Sequence, residues 1–251
     1  MNYSIREYIL SKLQQRKNGN NFRSLKVVKE LIDFTSNDYL GFAHDEELRK
    51  RIANEIKFQP LPVNGSTGSR LLTGNSEYAE KLEAFLAAFH NAESALLFNS
   101  GFDANYGLLS TLPYKNDTII FDELVHASIH DGIRKSKATS ISFLHNDLND
   151  LEIKLKQTNG LKYVVVESIY SMNGDFAPLS EIANLCEKYK AGLIVDEAHA
   201  TGVYGSKGEG VVSDKRLNGK VLARVHTFGK AIGASGAAIL CSNNLKEFLI
   251  N

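Results

Sequence analysis

Lys230 stands inside the glycine-rich run Val225-His-Thr-Phe-Gly-Lys-Ala-Ile-Gly-Ala-Ser-Gly236. Most lysines are solvated surface charges, but burial lowers the proton affinity of the amine and makes it a nucleophile, the chemistry of Schiff-base enzymes. A second group, Asp196-Glu-Ala-His199, follows the apolar run Leu193-Ile-Val195 and sets a carboxylate and an imidazole at one strand end. A third, Asn99-Ser-Gly101-Phe102, follows Ser94–Phe98 and opens a helical stretch through Leu109. Gly101 would let the backbone approach a ligand closely, and the amides of the following helix would face an anion. Pyridoxal phosphate needs a lysine, a carboxylate for its ring nitrogen and an anion site. Lys230, Asp196 and the Gly101 turn supply these three together.

Other motifs fail on their own terms. Asp196-Glu-Ala-His199 spells a helicase box, but that reading needs a phosphate loop G-x-x-x-x-G-K-[ST]. At Gly229-Lys230 the loop would place Arg224 and Ala231 where glycine and Ser/Thr belong. Gly208-Glu-Gly210 is followed by Ser213 instead of a third glycine, which removes the dinucleotide fingerprint. Cys186 and Cys241 stand far apart, and no metal is expected. No G-x-S-x-G nucleophile elbow occurs.

These groups must be positioned by the elements around them. Seven apolar or β-branched runs read as strands: Ser94–Phe98, Thr118–Phe121, Ser140–Leu144, Tyr163–Val166, Gly192–Val195, Leu222–Thr227 and Gly236–Cys241. Most are continuous instead of alternating, as in strands buried on both faces of a mainly parallel sheet. Between them lie helical patterns. Ser76 is expected to cap one whose stripe is Tyr78, Leu82, Phe85, Leu86 and Phe89. Ser180 is expected to cap a second with Ile182, Leu185, Cys186 and Tyr189 on one face, and Asp147 a third with Asp150 as its capping box. Alternating strands and helices predict a layered α/β domain whose ligands sit beyond the carboxyl ends of the strands.

Composition agrees with a globular chain and narrows the partners. Of 251 residues 43% are hydrophobic, and 29 Lys+Arg balance 29 Asp+Glu, which gives no electrostatic drive toward nucleic acid. Two cysteines in apolar segments read as reduced core residues of a cytoplasmic protein. Residues 1–10 carry charges where a secretory signal needs an apolar core, and no window approaches the ~20 apolar residues of a membrane span. Ile5, Ile9 and Leu13 predict a short N-terminal amphipathic helix.

Seven stretches, in order, resemble the α-oxoamine synthases, fold-type-I pyridoxal-phosphate enzymes that join an amino acid to an acyl thioester with loss of carbon dioxide. They are Ser36–Gly41, Gly65–Arg70, Phe98–Phe102, His126–Ser128, Glu167–Asp175, Asp196–Gly202 and Thr227–Lys230. Within the family the likeness is greatest to members that use alanine and a pimeloyl-CoA or pimeloyl-carrier-protein thioester in biotin biosynthesis. Glycine C-acetyltransferase, 5-aminolevulinate synthase and serine palmitoyltransferase types remain alternatives, as does a non-catalytic domain of the same fold.

The resemblance implies roles. Lys230 would bond the cofactor and then remove the substrate's α-proton, and Asp196 would hold the ring nitrogen protonated. His199, with Ser171 nearby, would meet the ring oxygen, and His126 would lie over the ring face. Gly101, Phe102 and Thr227 would hold the phosphate, while Asn37 and Arg23 would line the acyl side. The loop Gly65–Arg70 would belong to a homodimer interface. The expected organisation is an N-terminal segment, 1–40, and a cofactor-binding large domain, 41–251. The family's C-terminal small domain, with its carboxylate-binding arginine, is expected to be absent from this chain.

Overall fold

The structure, a computed structural model, describes residues 4–27, 31–59 and 65–251. Residues 1–3 and 28–30 of the expected N-terminal segment therefore lie outside the described residues. The chain forms two compact units, Met1–Thr35 and Ser36–Asn251.

In the first unit, α1 (Ile5–Asn18) begins at a capping box. The Ser4 hydroxyl accepts the Glu7 N–H, and the Glu7 carboxylate accepts the Ser4 N–H at 2.8 Å. Within this unit Ile5, Ile9 and Leu13 are exposed.

The second unit alternates helix and strand. Its helices are α2 (Glu46–Lys57), α3 (Glu77–Phe89), α4 (Gly101–Thr111), α5 (Ala127–Lys135), α6 (Leu148–Gln157), α7 (Leu179–Lys188), α8 (Val211–Asp214) and α9 (Asn243–Ile250). Its strands are β1 (Ser94–Phe98), β2 (Thr118–Asp122), β3 (Thr139–Phe143), β4 (Lys162–Glu167), β5 (Ala191–Asp196), β6 (Ala223–Thr227) and β7 (Ala237–Cys241). They form one seven-stranded sheet in the order β1-β7-β6-β5-β4-β2-β3. Only β7 runs antiparallel to its neighbours, and the other pairings are parallel. The mainly parallel α/β fold expected of the sequence is the fold observed.

The continuous apolar runs explain themselves in the central strands. Val164, Val165 and Val166 of β4 and Leu193, Ile194 and Val195 of β5 are all essentially inaccessible. Helices cover both faces there, and each such side chain stabilises the fold by roughly 1.5–3 kcal/mol.

Three helix details differ from expectation. The buried face of α3 centres on Glu83, Leu86 and Ala87, while Tyr78 and Phe85 are exposed. The reason is electrostatic. Glu83 accepts from Arg70, from Lys246 of α9 and from the Leu97 N–H of β1, so a carboxylate can occupy the core side. Ser180 lies inside the first turn of α7, because Pro178, with φ already at −74°, takes the N-cap position. Asp147 does cap α6, but the Asp150 carboxylate accepts the Leu144 N–H instead of completing a capping box.

Among the described residues no helix is long and apolar enough to cross a membrane. Cys186 and Cys241 are free and buried.

Candidate active site

The carboxyl ends of the parallel strands open on one edge of the sheet. There Gly101, Phe102, His126, Asp196, Thr227 and Lys230, each singled out by the sequence, line a single cleft.

The antiparallel strand aligns one wall. Ala237 of β7 pairs with Phe98 on one side and Thr227 on the other, so the ends of β1 and β6 are level. Helix α4 then starts against Thr227. A Cβ on Gly101 would stand 3.2 Å from Thr227 Cβ and 3.3 Å from its Oγ1, so glycine keeps this corner open. The Ser100 hydroxyl accepts the Asp103 N–H at 3.0 Å. The amides of Gly101 and Phe102, in the first turn, have no intrahelical partner. Two open amides beside a threonine hydroxyl make an anion cradle.

Asp196 closes β5 and is buried. Its Oδ2 accepts from Asn105 Nδ2 at 2.7 Å and its Oδ1 from the Ala198 N–H at 2.8 Å. Asn105 also donates to Ser128 Oγ at 3.0 Å, and that oxygen lies 2.8 Å from His126 Nδ1. His126 is the N-cap of α5, where its Nδ1 accepts the Ser128 N–H. A neutral His126 therefore carries its proton on Nε2. One network thus joins the carboxylate to the imidazole on the opposite wall.

Glu197 turns away from the cleft. Fully buried, it accepts from the Val211 and Val212 amides and the Ser168 hydroxyl, and burial pushes its carboxyl up. It anchors the Gly202–Gly210 turn, where a Cβ on Gly208 would meet the Gly202 backbone within 3.0 Å. Close backbone packing is the use of that glycine pair.

Lys230 Nζ lies 2.7 Å from His199 Nε2, and His199 Nδ1 lies 2.7 Å from Tyr39 Oη. Tyr39 donates in turn to Asn37 Oδ1 at 2.9 Å. Burial lowers the proton affinity of Lys230 against the opposing charges of Asp196 and Glu167. Burial, reinforced by the Lys230 charge, takes His199 down to about 4.

Asn37 reaches this group through Tyr39, whereas Ser171 is exposed in the turn after β4 and is not among the cleft-lining side chains. Arg23 belongs to the first unit and is exposed there. His126 and His130 share an H-x-x-x-H spacing, but His130 packs edge-on against Phe121. Among the described residues no group of three or more His, Cys, Asp and Glu could hold a metal ion. Sequence reasoning passed over Asn105, Tyr39 and Glu167. Asn105 lies one helical turn beyond Gly101, and the other two sit inside recognised stretches.

Comparison with known proteins agrees with this geometry. The family model for aminotransferase class I and II matches residues 29–251. The 8-amino-7-oxononanoate synthase of Emericella nidulans is 42% identical over 264 residues, covering 98% of this chain and 64% of the relative. A putative 8-amino-7-oxononanoate synthase of Bacillus licheniformis is 44% identical, covering 98% of this chain and 65% of the relative. The chain thus spans a little under two thirds of these relatives. Among solved structures, a serine palmitoyltransferase from S. paucimobilis with PLP and myriocin bound superposes with a TM-score of 0.84 at 28% identity, covering 97% of this chain and 64% of that one. The 8-amino-7-oxononanoate synthase of Francisella tularensis superposes with a TM-score of 0.73 at 33% identity, covering 87% of this chain and 61% of that one. The chain belongs to the aminotransferase class I and II family, and within it to the α-oxoamine synthases, where it is similar to 8-amino-7-oxononanoate synthases.

Proposed function

We propose that this chain binds pyridoxal phosphate at Lys230 and is the cofactor domain of an enzyme that condenses L-alanine with a pimeloyl thioester, carried on CoA or a carrier protein. The products are 8-amino-7-oxononanoate, carbon dioxide and the free thiol, a step of biotin synthesis. The observation that carries the reading is that the Lys230 amine and the Asp196 carboxylate share one cleft with the Gly101–Thr227 cradle.

The donor set fits the cofactor. A side chain at Gly101 would fill the cradle, and glycine leaves it open to a phosphate. The Gly101 and Phe102 amides and the Thr227 hydroxyl would hold that phosphate, Asp196 the ring nitrogen, His199 the ring oxygen, and His126 the ring face. Once bound, the cofactor supplies an electron sink for a carbanion. The protein supplies the rest. Lys230, its proton affinity lowered by burial, takes the α-proton of the amino acid, and Asn37 orients the acyl substrate. We place the active form in the cytoplasm as a homodimer with Gly65–Arg70 at the interface.

The test is direct. Purified chain given pyridoxal phosphate is expected to turn yellow, borohydride to fix the chromophore to Lys230, and Lys230→Ala to abolish both. A colourless chain that cannot be reconstituted overturns the reading. Capture without turnover assigns a silent domain. Similarity to serine palmitoyltransferases supports a second substrate reading, so the bound chromophore should be titrated with alanine, glycine and serine separately. A response to glycine or serine but not to alanine moves the assignment to that substrate.

A further inference from the structure

Glu167 ends β4 directly opposite Asp196 at the end of β5, in parallel register. Paired residues of parallel strands point to the same face, and both side chains line the cleft with Lys230. Two carboxyl groups one strand spacing apart, roughly 4.8 Å between backbones, cannot both ionise cheaply where water is excluded. The hydrogen-bond donors decide which one does. Asp196 accepts from Asn105 and from the Ala198 amide. Glu167 is 2% exposed and keeps Oε1 buried without a partner. An anion with one oxygen buried and unpartnered is costly, and a neutral acid is cheaper. The titratable groups facing Glu167 are Asp196, Lys230, His126 and Tyr170. Burial and the Asp196 charge push its carboxyl up to about 8, against the pull of Lys230 and the His126 and Ser171 amides.

We propose that Glu167 is a positioning residue that stands in the cleft as a neutral carboxylic acid and confines the negative charge beside Lys230 to Asp196. The consequence falls on the amine. Asp196 and Glu167 are the two anions that would hold a proton on Lys230, and burial works against them. With Glu167 neutral only one opposes desolvation, so the amine is freer to act as nucleophile and base. The inference rests on the function proposed above, since it concerns how that lysine is kept reactive.

Two measurements on the cofactor-free chain test it. In protein labelled at its glutamate side-chain carboxyls, infrared spectra at pH 6.5 are expected to show a protonated-carboxyl band that Glu167→Gln removes. Glu197 is also buried with a raised carboxyl. A band that keeps its full intensity in E167Q therefore belongs to Glu197 alone and overturns the proposal, as does the absence of any such band, whereas loss of part or all of the intensity supports it. If E167Q does not fold, E197Q makes the assignment instead: a surviving band is that of Glu167. The second measurement is the pH midpoint of Lys230 labelling by an amine reagent. Gln mimics a neutral acid, so E167Q should leave the midpoint in place, whereas loss of an ionised partner would lower it by about one unit or more. Neither readout requires cofactor capture. A chain that never binds pyridoxal phosphate refutes the proposed function and leaves the Glu167 result to stand or fall separately.

Discussion

Tyr39 Oη lies 2.7 Å from His199 Nδ1 while Lys230 Nζ lies 2.7 Å from the other ring nitrogen, so the imidazole is gripped from both sides. The protons on this chain follow from chemistry. Tyr39 gives its own hydrogen to Asn37 Oδ1, so its oxygen accepts from His199; the neutral ring then carries its proton on Nδ1 and turns the Nε2 lone pair toward the Lys230 amine. His199 is neutral at pH 7 because burial and the Lys230 charge bring it down to about 4. Tyr39 is therefore what fixes the tautomer that faces Lys230.

Tyr39→Phe removes that anchor while keeping the ring. Tyr39 is about half exposed, so stability should change by less than about 1 kcal/mol. Cofactor affinity or condensation rate should fall by about three- to tenfold, the worth of one hydrogen bond. Thermal melts beside steady-state kinetics check both halves. An unchanged rate would show that the His199 tautomer is set by Lys230 alone.

Gly101→Ala tests the anion cradle. The added Cβ would press on Thr227 Cβ at 3.2 Å, a contact relieved by a shift of the threonine of a few tenths of an ångström, which disturbs the cradle. The substitution is otherwise benign, since alanine favours helix. The variant is expected to fold as well as wild type yet bind pyridoxal phosphate or inorganic phosphate about tenfold more weakly, roughly 1.4 kcal/mol. Equilibrium titration reads this directly, and equal affinity would place the anion elsewhere.

Much of this architecture was legible in the residues. Each of the seven expected strands lies within one residue of the observed one at both ends; in the central strands the reason is burial on both faces, which writes an unbroken apolar run, whereas edge strand β3 is largely exposed. The cleft was legible where chemistry and strand end coincide, as at Asp196 and Lys230. What remained hidden depends on contacts between distant residues. Glu83 reads as surface until Arg70 and Lys246 are seen to meet it. Tyr39 and His199 are 160 positions apart, and no local pattern pairs them. Asn105 looks like any helix residue until the register of β5 brings Asp196 to its amide.

Behind the sheet a second histidine pair predicts how the protein responds to acid. The rings of His90 and His226 lie 4.0 Å apart, and His226 is wholly buried with Nε2 unpartnered. Burial, reinforced by the Arg224 charge, lowers His90 to about 4. Burial, His90 and Arg224 hold His226 well below its ordinary value. In the unfolded chain both titrate near the usual ~6.5. As pH falls from about 6.5 toward 4, the unfolded chain therefore takes up protons that the native protein refuses, and stability declines. Above that interval the pair contributes no pH dependence. Denaturant midpoints should thus drop steadily on acidification through this range. His226→Leu, which gives up the bond to Thr201 Oγ1 and the titrating ring together, should be less stable at pH 7 but lose less on going to pH 4.5. An equally steep acid limb in the variant would mean that protonation of other groups drives the loss.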